Sequence, residues 1–433
     1  MEEDKLLISL EESKWSRVHT LYFISFAIGL FIEGFIFTVT SYATTWYVIP
    51  RSLQVLLLGW VFIWLIIGIS VIGPISDKLG RKRTWIYTMT LYAIGGVLLF
   101  FSVNYVLVLV ALAILLASAG GEMNVILSMI HEIFPRRHRS KTAMLLINFN
   151  GGIAATAGGI LGFIAYATTM MFERYLTAIT IFIGLVALII IRMKTPESIR
   201  WLEKTGKHER AVEEKKKYFK TEPAITTQTI TKPSTNKKKI LPIWARLLIL
   251  TPIAWANSSG YGLITYTIGP LYFPKLIAYI ILFAGLGAFA GGMLGIFGDR
   301  WSRKTLLFGT YWIVTLFVVI TFITLKLWVT YLILFWILLI AMNAVEQLSF
   351  SAEETMKGEI WPTNIRGSLT ALVRILPLLL YLPVLYFASL LSLSQYIIFN
   401  IIIWIIGSTA ATVWLILGHE TGKGVSITIA SGE

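Results

Sequence analysis

The chain has 433 residues, of which 56% are hydrophobic and only 14% charged, whereas a soluble globule carries roughly a quarter charged residues; the composition excludes one. The net charge of +14 does not indicate a nucleic-acid partner, because the cations are distributed as a membrane orientation requires rather than gathered on one patch. No cysteine is present, which excludes disulfides, thiolate metal sites and a Cys nucleophile.

Residues 1–17 are charged and lack the short apolar core and small-residue cleavage site of a secretory signal, so this tail is expected to be retained, with the first helix as insertion signal. Apolar windows of roughly 20 residues, the length that crosses about 30 Å of hydrocarbon, follow at 18–46, 52–73, 84–102, 105–130, 142–168 and 175–191. After a polar interval they resume at 240–268, 276–297, 305–324, 329–350, 369–391 and 395–417. With the first tail inside, 32 of the 37 Lys and Arg face the cytoplasm. Arg51, Arg174, Lys275 and Lys326 face outward, and Arg374 lies inside a span. That excess predicts a multi-pass protein of the cell membrane with both termini cytoplasmic. The predicted organisation is a tail (1–17), a six-helix bundle (18–191), a cytoplasmic linker (192–239), a second six-helix bundle (240–417) and a tail (418–433).

Four loop motifs recur in one order. Gly73-Pro-Ile-Ser-Asp77-Lys-Leu-Gly-Arg81-Lys82 ends the second span, and Gly295-Ile-Phe-Gly-Asp299-Arg-Trp-Ser-Arg303-Lys304 ends the eighth. Glu132-Ile-Phe-Pro-Arg-Arg-His-Arg139 ends the fourth, and Glu359-Ile-Trp-Pro-Thr-Asn-Ile-Arg366 ends the tenth. Matched motifs at equivalent helix ends indicate a duplicated array. In the first pair the Gly permits close helix approach, and the Asp needs partners that the Arg and the positive end of a nearby helix supply, which makes a latch closed in one conformation. The plainer reading is that these cations only hold the loops at the surface. The second pair sets a carboxylate at a helix end, a Pro that stops the helix and an Arg one turn beyond, as the other half of the same gate. In the linker, Thr195, Pro196 and Glu197 predict a helix start, and Ile199, Trp201 and Leu202 give it an apolar side that suits the membrane surface. The Thr-rich stretch 221–234 is expected to be flexible.

The first motif pair resembles the loop signature of the major facilitator superfamily, and the second that of its sugar-porter branch. Pro196-Glu197-Ser198-Ile199-Arg200-Trp201-Leu202 is similar to the branch's Pro-Glu-Ser-Pro-Arg-Trp-Leu, with Ile199 in place of the second Pro. The resemblance covers essentially the whole chain. It implies an all-α membrane protein with twelve transmembrane helices in two pseudo-symmetric six-helix bundles, opening alternately to either side. The cavity departs from the sugar porters: Asn257 is the one amide kept on the seventh helix, and Leu112 stands near the family's cavity Arg. Gly120-Gly121-Glu122, Ile147-Asn148 and Arg374 ahead of Pro377 resemble instead the metabolite:proton symporters and the nicotinate and synaptic-vesicle-type transporters.

Candidate site residues follow. Arg374 inside hydrocarbon must face a cavity or a counter-ion; it either captures a substrate carboxylate or pairs with Glu346, Glu353 or Glu354. Glu33 is the first candidate for proton coupling, since desolvation disfavours its ionised form; the alternative is a permanently paired structural Glu. Glu122 is the second, or else supports its own bundle through Asn148 or Asn150. Asn257, Tyr266, Asn148 and Glu346 complete the substrate-binding candidates. The expected function is secondary active transport of a small organic solute, an organic acid or sugar-like metabolite, by proton-coupled symport; a transporter-like sensor and an uncoupled sugar facilitator are the alternatives. No enzyme, metal, cofactor or ATP-driven pump is expected, because no His-rich set, catalytic triad or phosphate loop is present. The expected partners are solute, protons and the lipid bilayer, and the protein is expected to be a monomer.

Overall fold

The computed structural model describes residues 2–44, 46–165, 169–219 and 240–433; the Thr-rich stretch 221–234 and the lysines at 237–239 lie outside them. A short α1 (Glu2–Glu11) precedes α2 (Arg17–Ala43), α3 (Arg51–Leu79), α4 (Arg81–Phe100) and α5 (Tyr105–Ile133). The next span is α6 (Arg139–Asn148), a π-helical turn (Phe149–Ile153) and α7 (Ala154–Ala165), and α8 (Met170–Arg192) closes the first half. Two amphipathic pieces, α9 (Ile199–Lys204) and α10 (His208–Tyr218), follow. The second half contains α11 (Ile243–Gly260), a π-helical segment (Leu263–Ile268), the single turn α12 (Gly269–Tyr272), α13 (Ile277–Met293), α14 (Arg303–Thr324), α15 (Leu332–Glu359), α16 (Arg366–Ala388) and α17 (Leu393–Leu417), with α18 (Ile427–Ser431) beyond.

Among the described residues, eleven helical stretches are long and apolar enough to cross a membrane. The expected third span, α4, is the exception. Its first turn carries Arg81, Lys82 and Arg83, and Thr84, Thr88 and Thr90 follow, so its own apolarity is low; it is sandwiched against α5 and α8. With it the array is all-helical with twelve crossings. Large apolar side chains such as Ile183, Leu248 and Ile337 are exposed along the outer faces, as lipid allows and water does not.

Three spans differ from the hydropathy windows. The seventh breaks where Gly262 takes φ 73°, a left-handed conformation that a side chain disfavours. The fifth carries its π turn at Phe149–Ile153, which contains the paired glycines Gly151-Gly152. The tenth does not stop at residue 350 but continues through Glu353, Glu354 and Lys357 to Glu359, because Lys357 pairs with both carboxylates at i, i+3 and i, i+4 spacing and Arg374 lies 3.8 Å from Glu354.

The halves meet along two equivalent seams, α3 against α16 and α7 with its π turn against α13. Small residues set the spacing. A β-carbon on Gly73 would lie 2.5 Å from the Ala371 methyl, and one on Gly295 would lie 2.9 Å from Met144 Cβ. The pairs Gly151-Gly152, Gly158-Gly159 and Gly291-Gly292 likewise face neighbouring helices. Ring contacts of Phe62 with Tyr381 and of Phe163 with Tyr279 carry the seams toward the face opposite the termini.

Candidate functional site

The duplicated motifs meet across the seams on the face that carries both termini. Asp77, at the end of α3, accepts the N–H groups of Gly367 (3.0 Å) and Ser368 (2.7 Å) and the Ser368 hydroxyl (2.7 Å). Those donors form the first turn of α16, where unpaired N–H groups and the helix dipole favour an anion. Arg81 donates to Asp77 (2.7 Å) and to Glu132 (2.8 Å), and Glu132 also receives Arg366 at 3.3 Å. These contacts form a buried network that ties α3 and α5 of the first half to α16 of the second. The mirror copy places Asp299 on the N–H of Lys141 (3.1 Å) in the first turn of α6, while Arg303 reaches Glu359 (3.1 Å) and the Ser140 hydroxyl (3.2 Å). Burial raises the Asp299 carboxyl above its ordinary range, against the opposing pull of the Lys141 N–H.

The mirror is incomplete: Arg81 pairs with Asp77, whereas the basic partner of Asp299 is Lys141 at 3.9 Å, and a further difference lies at Arg139. Arg366 binds Glu132, but its counterpart Arg139 leaves Glu359 and binds the Val425 carbonyl, with Glu11 at 3.9 Å. Glu11 in turn accepts Arg200 of α9 at 2.6 Å and the Ile427 N–H of α18 at 3.2 Å. Glu433 binds Thr363, and Arg246 donates to the Ser431 carbonyl at 2.8 Å. Both tails and the linker are thus seated on this network. The sequence reading expected four equivalent motifs and gave these tail residues no role; no motif points to them, because their partners lie from 70 to 416 positions away in the chain.

Of the remaining gate candidates, Lys82 donates to the Thr195 carbonyl (2.6 Å) and Lys304 to the Gly418 carbonyl (2.7 Å), each closing the end of a neighbouring span. Glu197 accepts the N–H groups of Arg81 (3.0 Å) and Lys82 (3.1 Å) at the start of α4; burial raises its carboxyl despite those donors. An asparagine at Asp77 keeps the shape but loses the charge that three donors and Arg81 satisfy. Asp77→Asn is therefore expected to let the termini face open. With no native cysteine, a Ser128→Cys reporter on the buried side of the gate measures this, and its maleimide labelling should be several-fold faster in the Asp77→Asn background. Equal rates would show that the latch does not hold this face shut.

Deeper in the array, Arg374 on α16 brings the halves together again. Its guanidinium lies 3.5 Å from Glu33 of α2 and 3.8 Å from Glu354 of α15, and it donates to the Gly120 carbonyl (3.2 Å) of α5. Lys357 continues the chain, 2.7 Å from Glu354 and 2.5 Å from Glu353. Three carboxylates thus share two cations, all buried, and Glu33 Oε2 has no hydrogen-bond partner. The surplus of one negative charge, in a medium that penalises unpaired charge, is what one proton would neutralise.

The other candidates are placed apart. Glu122 binds Arg192 and the Thr88 hydroxyl (2.5 Å), not Asn148 or Asn150. Arg192 also donates to the Ser25 hydroxyl (3.1 Å) and lies over the Trp85 ring, so this pair is internal to the first bundle; removing one partner would strand a buried charge. Glu346 is not paired with Arg374. It accepts the Gly262 N–H (3.2 Å) at the break in the seventh span, and its other oxygen has no hydrogen-bond partner. Asn257 faces its own bundle, within 3.4 Å of the Tyr311 hydroxyl and 3.3 Å of Ser349. Asn148 donates to the Phe289 carbonyl (3.2 Å) across the seam, and Tyr266, 42% exposed, follows the Gly262 break. Lys357 and Arg192 were not singled out from the sequence. The spacing Glu353-Glu354-x-x-Lys357 was the available signal, since charges within a span are functional or paired.

A sequence model of the Major Facilitator Superfamily matches residues 21–376. The minor myo-inositol transporter IolF of Bacillus subtilis is 26% identical over 151 residues, 34% of this chain and 33% of that protein. The niacin transporter NiaP of Acinetobacter baylyi is 23% identical over 244 residues, 53% of each chain. The alignments thus span from about a third to about half of the length of these relatives. In fold, the chain is similar to the proton:xylose symporter XylE of E. coli, with a TM-score of 0.74 over 99% of both chains at 17% identity.

Proposed function

Since this chain belongs to the Major Facilitator Superfamily, we propose that it is a membrane transporter, not an enzyme, that carries a small organic acid by alternating access with proton symport. The observation that carries this reading is the set of contacts around Arg374. A guanidinium inside the membrane is held between a carboxylate of each half, Glu33 at 3.5 Å and Glu354 at 3.8 Å. In the absence of solute, Glu33 occupies the position that a substrate carboxylate would take. Protonation of Glu33 weakens its hold on Arg374 and frees donors for bidentate capture of the substrate. Release of substrate and proton on the other side restores the pair. Binding energy that differs between the two states is what shifts the populations.

The sequence pattern, which assigns about 32 of the 37 Lys and Arg to the tails, loops and helix ends of one side, supports a cytoplasmic location for both ends and for a gate formed by the duplicated motifs. The names of the relatives point to two solute classes, a polyol or sugar and a carboxylate, and Arg374 favours the second. Counterflow in proteoliposomes decides between them, with nicotinate and simple monocarboxylates tested beside myo-inositol and xylose. The carboxylates are expected to exchange, faster with an inward proton gradient. Exchange of the neutral polyols alone would refute the organic-acid reading, and binding without flux would mark a sensor.

A further inference from the structure

Beside the gate, on the termini face, α3, α4, α9 and α10 enclose a cavity of about 250 Å³ that the transport cycle does not use. Its floor is Trp201, over whose ring Lys207 lies at 4.1 Å. Arg83 of α4 and Arg210 of α10 border it and are exposed. Neither has a carboxylate within ion-pair distance among the described residues, although ten other Lys and Arg residues do. Lys82 adds a fourth cation, and Glu197 and Glu214 are the acids. Glu197 is already committed to the N–H groups that start α4, so the cavity is net basic. Its rim is apolar: Leu79 and Ile86 are 38% and 60% exposed, and Tyr87 next to Ile86 is 50% exposed. Those side chains mark the lipid-facing side of α3 and α4, one to two turns from the basic group.

We propose that this cavity binds the phosphate headgroup of an anionic membrane lipid. The phosphate would lie between Arg83, Arg210 and Lys207, and the acyl chains would run along Leu79 and Ile86. Unpaired guanidinium groups at the headgroup level, above a lipid-facing apolar strip, match an amphiphile with a phosphate at one end. A free phosphate would satisfy the cations but leave the apolar rim without purpose. Because the cavity is built from the loop of the Asp77 latch and from the linker helices, its occupant would favour the state in which these elements pack together, as here.

The test uses the full-length protein in nanodiscs of phosphatidylcholine with increasing phosphatidylglycerol, read by thermal unfolding. The unfolding temperature should rise with the anionic lipid, as for any ligand of the folded state, and Arg83→Gln with Arg210→Gln should remove most of that rise. Arg137→Gln with Lys216→Gln removes the same charge from exposed positions outside the cavity and should retain it. An equal loss in both double variants would reduce the effect to general surface attraction and overturn the site. Reproduction of the rise by inorganic phosphate in pure phosphatidylcholine would make the ligand free phosphate, not lipid. If the variants lower the unfolding temperature even without anionic lipid, the lipid-dependent increment, measured within each variant, still decides.

Discussion

Glu33→Gln is expected to abolish uphill accumulation of the solute while leaving solute–solute exchange intact. Glutamine keeps the size of the side chain and one acceptor oxygen for Arg374, but it cannot alternate between a charged and a neutral form. With Glu33 ionised, the chain Glu33, Arg374, Glu354, Lys357 and Glu353 holds one negative charge more than it can pair. The substitution fixes the neutral version of that chain. Arg374 then stays available in every state, so solute binds and exchanges but no longer waits for a proton. Proteoliposomes loaded with solute and given an imposed pH difference separate the two rates. Accumulation that still follows the pH gradient in Glu33→Gln would remove Glu33 from the coupling mechanism and leave Glu353 or Glu346 to be tested.

Arg374→Lys is expected to lower transport of a carboxylate by about 10- to 100-fold and to have far less effect on a neutral solute. An ammonium keeps the positive charge but loses the planar fork that holds two carboxylate oxygens at once. Hydrogen bonds to charged groups contribute about 1.5–3 kcal/mol each, and each 1.4 kcal/mol is a factor of ten. The shorter reach also withdraws the side chain from the Gly120 carbonyl, which the arginine touches at 3.2 Å. Initial uptake rates for one carboxylate and one polyol, with expression matched, supply the comparison. A loss of equal size for both solutes would mean that Arg374 joins the bundles and does not recognise substrate.

The architecture was legible because a membrane span is written locally, in some twenty consecutive apolar residues, and because the duplicated motifs mark equivalent loops. Hydropathy was less informative where neighbours alter the local rule. The tenth span continues through Glu353, Glu354 and Lys357 because Lys357 pairs with both carboxylates within the helix and Arg374 faces Glu354, a run of charges that an average over a window reads as the end of a span. The breaks at Gly262 and at Phe149–Ile153 are conformational, and composition does not reveal them. Within the site, Glu33 and Arg374 were identifiable one by one, as charges where charge is costly. Their meeting, from opposite halves and separated by most of the chain, was not. The same holds for Glu122, a coupling candidate whose alternative was to support its own bundle through Asn148 or Asn150; its partner there is Arg192. Arg139 shows the converse case: the motif predicted its position, but the tails decided its partner.

The odd charge count around Arg374 bears on what drives the carrier. If one proton enters with one monocarboxylate, the loaded protein carries the same charge as the empty one, and the cycle moves no net charge through the bilayer. A membrane voltage, which contributes about 2.3 kcal/mol per elementary charge per 100 mV to an electrogenic carrier, would then contribute nothing. Such a transporter would work equally well in a depolarised cell. Its direction would be set only by the acidity on the two sides and by the amount of solute present.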